Sequence, residues 1–201
     1  MVDNFDIIEP LLNWRSDDDF YFIQVLQRKK DHKDKMRVNG TNNNARLVKA
    51  YYVTSMESFQ FYKPEIIELC KVFNARAGIN LNRRCFKRVQ LRFLKKIIDQ
   101  MENSTENKAY KAYSSVVGAS HDDNEKKWII DIDKEELGMV QEIKDFVNKL
   151  QPENVNSKVL TEIPSKTGLH LITSPFNVAE FSKHYPTISI QKNNPTNLFI
   201  P

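Results

Sequence analysis

A chain of 201 residues that is 40% hydrophobic, with only five glycines, can bury a sizeable core, which excludes the disordered and collagen-like classes. Its net charge of +4 permits a polyanionic partner without requiring one, and the two cysteines, Cys70 and Cys85, build neither a disulfide framework nor a zinc cluster. No basic region leads into an apolar core at the amino terminus and no apolar run is long enough to span a bilayer, so a reducing cytoplasm and no membrane partner are expected.

In chain order, Phe5 to Trp14 spaces Ile7, Ile8, Leu11 and Leu12 at near-helical intervals and reads as a short helix on the core, ended by Asp17, Asp18 and Asp19. Phe20 to Gln27 predicts a strand buried on both faces, with Arg46 to Thr54 as its partner. The connection between them carries Lys29, Lys30, Lys33, Lys35 and Arg37 and then Asn39-Gly40, a basic loop that is either solvated or in contact with nucleic acid. Pro64 suits the first turn of a helix that buries Ile66, Ile67, Leu69, Cys70 and Phe73.

Ala75 to Leu81 alternates like a strand, and Asn82, Arg83 and Arg84 read as the turn into the next helix. That helix has Phe86, Val89, Phe93, Ile97 and Ile98 on one stripe, with Cys85 at its start, and leaves most of its cations outside the stripe. A charged helix face is often simply solvated. The candidate nucleic-acid contacts are Arg76, Arg83 and Arg84 at strand ends and turns, with Lys87 and Arg88 beside them. A helix over Thr105 to Val117 completes an amino-terminal α/β module, residues 1–120, and His121 to Lys127 reads as a linker in which His121, Asp122 and Asp123 are exposed or bind a metal.

The second module, residues 121–201, has a cleaner pattern. A strand over Trp128 to Asp133 precedes a helix burying Leu137, Val140, Ile143, Phe146, Val147 and Leu150. Lys158 to Ile163 and Leu169 to Thr173 form a hairpin around a Pro164–Gly168 turn, and Asn177 with Glu180 caps a short helix. Thr187 to Gln191 is the last clear strand, with Asn197 to Ile200 as an added edge. The class is therefore α+β, and the βαββαβ order is that of a ferredoxin-like or RNA-recognition-motif-like fold, packed on the first module or continuous with it. In that order the first and third strands are central antiparallel neighbours, which brings Asp131, Asp133 and His170 to one sheet surface.

Ile132 separates Asp131 from Asp133, so on a strand both carboxylates share a face. They are either solvated or helix-capping acids, or ligands for a hard cation such as Mg²⁺ or Mn²⁺. Ser165, Lys166 and Gly168 lie in a turn that can offer a hydroxyl, an ammonium and backbone N–H groups to a triphosphate.

Asp131-Ile132-Asp133 followed by Ser165-Lys166-Thr167-Gly168-Leu169-His170 resembles the first two motifs of the archaeo-eukaryotic primase superfamily. The stretches from Asn74 to Arg84 and from Ile163 to Phe176 resemble small primase-like proteins of bacteriophages. The likeness covers mainly residues 128–201, and residues 20–117 would correspond to the more variable amino-terminal module.

The resemblance implies a template-dependent nucleotidyltransferase of the primase-polymerase type. Asp131 and Asp133 would hold Mg²⁺ or Mn²⁺, His170 would contact the nucleotide phosphates, and Ser165, Lys166 and Gly168 would support that contact. A 3′-hydroxyl would attack the α-phosphate and release pyrophosphate, with two metals stabilising the attacking and leaving oxygens. The implied partners are a nucleic-acid template, nucleoside triphosphates and a separate replication helicase, in a host cytoplasm if the protein is phage-encoded.

One feature departs from that pattern. The family's third acid stands on a late strand, but Ile188 to Thr196 contains no Asp or Glu, and Asn193 or Asn194 is expected at the position. An amide oxygen can ligate but brings no charge. The alternatives are therefore a degenerate module that binds nucleic acid or a replication partner and, third, a metal-dependent nuclease using the same Asp pair.

Overall fold

In the computed structural model the chain is α+β, with two antiparallel sheets and six α-helices among the described residues, which are 1–28, 45–103, 109–121, 125–153 and 157–201. The first sheet runs in the order β1 (Val2–Asp3), β9 (Thr196–Ile200), β4 (Arg76–Cys85), β2 (Asp19–Arg28), β3 (Ala45–Val53). The second runs β6 (Val159–Pro164), β7 (Leu169–Thr173), β5 (Trp128–Ile132), β8 (Ser189–Gln191).

β2 is buried on both faces, as its apolar run implies. Tyr21, Ile23 and Val25 enter the main core, while Phe20 and Phe22 join Val89, Val116 and Val117 from α3 (Phe86–Glu102) and α4 (Ala109–Ala119). A short helix, α1 (Phe5–Ile8), adds Phe5 and Ile8 to the main core.

α2 (Met56–Phe73) starts well before Pro64, because Ser55 and Ser58 cap it reciprocally. The Ser55 hydroxyl accepts the Ser58 N–H at 3.1 Å, and the Ser58 hydroxyl accepts the Ser55 N–H at 3.0 Å. Pro64 therefore lies inside the helix, exposed, and the residues fully buried are Phe59, Ile66 and Cys70, with Phe73 outside the core. Asn74 ends the helix in the left-handed conformation at φ 44°, and the chain turns directly into β4.

β4 does not turn after Leu81. It continues through Asn82, Arg83 and Arg84 to Cys85, because β2 supplies a partner that far, pairing Phe20 with Arg84 and Asp19 with Cys85. Cys85 thus ends a strand instead of entering a helix, and both cysteines are free thiols.

In the second sheet β5 and β7 are central antiparallel neighbours, pairing Asp131 with His170. One face carries Ile130, Ile132 and Leu171 against Ile143 and Val147 of α5 (Val140–Lys149) and Phe181 of α6 (Val178–His184). A 3₁₀ turn, Lys134–Met139, precedes α5, so Leu137 stays exposed. The opposite face places Ile129 and Ile172 in the main core with Ile23, Phe59 and Leu198. Strand alternation then puts Asp131 and His170 on that same face, beyond the apolar patch.

The last strand is not an edge of the second sheet. β9 crosses to the first, between β1 and β4, so residues on both sides of position 120 share one core. The basic stretch 29–44, the expected helix start at Thr105, and Asp122 and Asp123 lie outside the described residues. No helix of the described residues is long and apolar enough to cross a membrane.

Candidate functional site

Where the apolar contact between the sheets gives way, polar side chains from both line a cleft of about 420 Å³. The second sheet and its turns contribute Asp131, Asp133, Ser165, Lys166, Thr167, His170 and Gln191, and the first contributes Arg28, Arg76, Gly78 and Thr196. Asp131, Asp133, His170, Ser165, Lys166 and Arg76 were all legible as candidates and all line this one cavity.

His170 is held from two sides. Its Nδ1 lies 2.8 Å from Thr196 Oγ1, and its Nε2 lies 3.4 Å from Asp131 Oδ1. Both His170 and Thr196 are buried, so the ring is fixed with one nitrogen on the first sheet and the other on the carboxylate. The second Asp131 oxygen accepts the Gln191 amide N–H at 3.1 Å. Asp133, one residue past β5, is exposed at the N-cap of the 3₁₀ turn, where the Glu136 carboxylate accepts its backbone N–H at 3.2 Å. The helix-capping and the cleft-facing readings of the acid pair therefore coexist.

The turn between β6 and β7 is built by its own residues. Ser165 N–H donates to the Gly168 carbonyl at 2.9 Å, and Gly168 N–H donates to the Ser165 hydroxyl at 3.0 Å. Gly168 sits behind the rim, not in the cleft. A Cβ there would stand 2.0 Å from the Ile132 carbonyl oxygen, so the glycine allows the turn to lie directly on the strand that carries Asp131.

Two arginines expected at a nucleic-acid surface are interior instead. Arg84, 1% exposed, donates to the carbonyls of Val117 at 2.6 Å, Asn82 at 2.7 Å and Gly118 at 3.1 Å, tying β4 to the end of α4. Burial pushes its pKa down to about 10. Arg83, 5% exposed, pairs with Asp19 at 3.2 Å and donates to the Asn13 carbonyl at 2.8 Å. Neither guanidinium is presented to a phosphate backbone. Lys87 is exposed on α3, and Arg88 donates to the His121 carbonyl at 3.0 Å; neither lines the cleft.

On the late strand the register sets Ser189 opposite Asp131, and the side chain that reaches Asp131 is that of Gln191. Asn193 points away, its Oδ1 lying 3.5 Å from Arg84, while Asn194 lines the cleft. Among the described residues no three His, Cys, Asp or Glu side chains form a metal-ligand group. Asp131 and Asp133 are hard oxygen donors that line the same cleft, the residues there that could hold a divalent cation.

Sequence reading missed Arg28, Gln191 and Thr196. Arg28 lies one residue past the strand predicted over Phe20 to Gln27; it is the last residue of β2, at the cleft. Thr196 carried no signal, because its role depends on β9 crossing to the other sheet. No family model, no curated protein and no solved structure matches the chain.

Proposed function

We propose that the cleft is a nucleoside-triphosphate site and that the protein is a template-dependent nucleotidyltransferase of the primase-polymerase type. The observation that carries this reading is the convergence of Asp131, Asp133 and His170 in one open cavity with Ser165, Lys166 and Arg76. The strand order β6-β7-β5-β8, with α5 and α6 between its members, supports reading the second sheet as a ferredoxin-like unit.

In this reading Asp131 and Asp133 hold Mg²⁺ or Mn²⁺. When bound, the ion neutralises phosphate charge and stabilises the pentavalent transition state. Lys166 and Arg76 orient the phosphate chain by charge-assisted hydrogen bonds, and His170, fixed by Thr196, holds its Nε2 against Asp131 at the cleft wall. Template contact falls to the exposed Lys87, with Arg88 beside it, and unwinding to a separate helicase.

A second reading is favoured by Gln191. Its amide donates to Asp131 where a third carboxylate would complete a two-metal site, which fits a module that binds nucleotide or nucleic acid without transfer. Extension of a labelled primer on a template, with Mn²⁺ and each nucleotide class, separates the two. Product that vanishes in a folded Asp131→Ala variant supports transfer; triphosphate binding with no product supports the binding module.

A further inference from the structure

We infer that the outer face of α3 docks a second copy of the chain, whose own α3 lies on it antiparallel about a two-fold axis near the middle of the helix. The inference is independent of the nucleotide-site reading, because α3 contributes no residue to the cleft.

α3 is apolar on two sides. Phe86, Val89 and Phe93 pack inward with Phe20 and Phe22 of β2. Leu91, Leu94, Ile98 and Met101 point outward instead, and they are 61, 58, 54 and 68% exposed. Ile98, expected on the inner stripe, belongs to this outer one. Their spacing of three, four and three residues is that of the a and d positions of a heptad repeat, the seam along which two helices meet. α4 packs on a different row of α3, where Arg92 donates to the Ala119 carbonyl at 3.2 Å and Lys96 to the Ser115 hydroxyl at 2.9 Å. A continuous row of large apolar side chains marks an interaction surface, unlike the scattered exposure that is normal on a monomer.

The charges of α3 identify the occupant. Every cation of the helix lies between Lys87 and Lys96, and both of its acids, Asp99 and Glu102, stand among the last four residues. This order opposes the helix dipole, which favours acids at the amino-terminal end and cations at the carboxyl-terminal end. A parallel copy would set like charge beside like. An antiparallel copy lays its acidic end against the cationic start, and two-fold symmetry repeats the match at the other end of the seam. With Leu91 over the second copy's Met101 and Leu94 over its Ile98, Arg88 comes level with the second copy's Glu102 to within about 3 Å along the axis. Lys87 falls just beyond the end of the second helix, so the proposed nucleic-acid contact is not buried. Lys95 meets its own copy near the axis and the seam is short, which sets the expected dissociation constant at about 1–100 µM.

The test is sedimentation velocity of the full chain from about 1 to 300 µM, for the wild type, Leu94→Lys and Met101→Lys. Both positions are exposed, so either substitution leaves the fold intact, which circular dichroism checks. The expected result is a reversible shift from 23.6 kDa toward twice that mass, with association weaker by at least roughly 100-fold in each lysine variant. Arg88→Glu and Glu102→Arg should each weaken self-association by about tenfold. An equal mixture of those two variants should dimerise like the wild type, because only an antiparallel pairing of one with the other restores opposite charges at both ends. A wild type that stays monomeric over the whole range overturns the inference and leaves the seam to an occupant other than a second copy. A dimer that both lysine variants leave intact overturns it too, by placing the contact elsewhere. A mixture that associates no better than the separate charge variants overturns the antiparallel arrangement.

Discussion

His170 and Thr196 join the two sheets through a single side-chain contact, Nδ1 to Oγ1 at 2.8 Å, with both residues buried. The pairing places a first-sheet hydroxyl behind the imidazole that faces Asp131, so strand assignment and site geometry are the same fact. Thr196→Val keeps the shape of the side chain and strands a buried ring nitrogen. Its expected cost is about 1–3 kcal/mol in urea unfolding, with Thr196→Ser recovering much of it. A Val variant as stable as the wild type would contradict the structural role of the bond.

Gly168→Ala would drive a methyl group into the Ile132 carbonyl, 2.0 Å away, and backbone on both sides must move. The expected destabilisation is about 2–4 kcal/mol, read as a lowered midpoint of thermal or urea unfolding. Since the turn lies on the end of β5, the variant should also weaken metal-nucleotide binding through misplaced Asp133.

Gln191→Glu replaces the amide that donates to Asp131 with a carboxylate. Without metal, like charges meet and stability should fall by about 1 kcal/mol; with Mn²⁺ the extra charge should tighten binding by about tenfold. Equilibrium unfolding with and without Mn²⁺, together with the paramagnetic resonance signal of free Mn²⁺, reads both effects. Loss of stability that Mn²⁺ does not restore would argue against a cation beside Asp131.

Arg84 and Lys87 should behave oppositely despite their common charge. Arg84→Ala removes the buried guanidinium that donates to the carbonyls of Asn82, Val117 and Gly118, of which Gly118 keeps the Asn193 amide as a donor, and a loss of about 3 kcal/mol is expected. Lys87 is exposed, so Lys87→Ala should leave stability within about 0.5 kcal/mol, and under the proposed nucleic-acid contact it should lower that affinity in a salt-dependent way.

Alkaline pH should unfold the protein through Cys70. Burial pushes this thiol from 9.0 up to about 12, so the folded state retains a proton that the unfolded chain releases. The stabilisation from the neutral thiol is present below pH 9 and is lost as pH rises toward 12. Tyr185, raised from 10.0 to about 12 by burial and then by the Glu142 carboxylate, acts in the same direction above pH 10. Stability should fall by up to about 1.4 kcal/mol per pH unit for each such group, and Cys70→Val should flatten the slope that begins at pH 9.

The acid pair, the histidine and the Ser165–Gly168 turn were legible because strand alternation and a hairpin fix their relative places locally. Asn177 likewise announced α6, accepting the Glu180 N–H at 3.3 Å. What could not be read locally were choices made by distant partners. Thr196–Ile200 is equally apolar whether it borders one sheet or completes another, and only the pairing with β1 and β4 decides. Arg83 and Arg84 look like surface cations until β2 is seen to extend beside them and Asp19 and the α4 carbonyls receive their charge. Pro64 suggested a helix start, whereas a Ser-Ser capping box upstream set the true one.

The most direct measurement is calorimetric titration of ATP with Mn²⁺ into the wild type and into an Asp131→Ala/Asp133→Ala double variant shown to be folded. A nucleotide site built on these carboxylates gives saturable, Mn²⁺-dependent binding in the wild type and none in the variant. Equal binding to both proteins, or no binding to either, would contradict it.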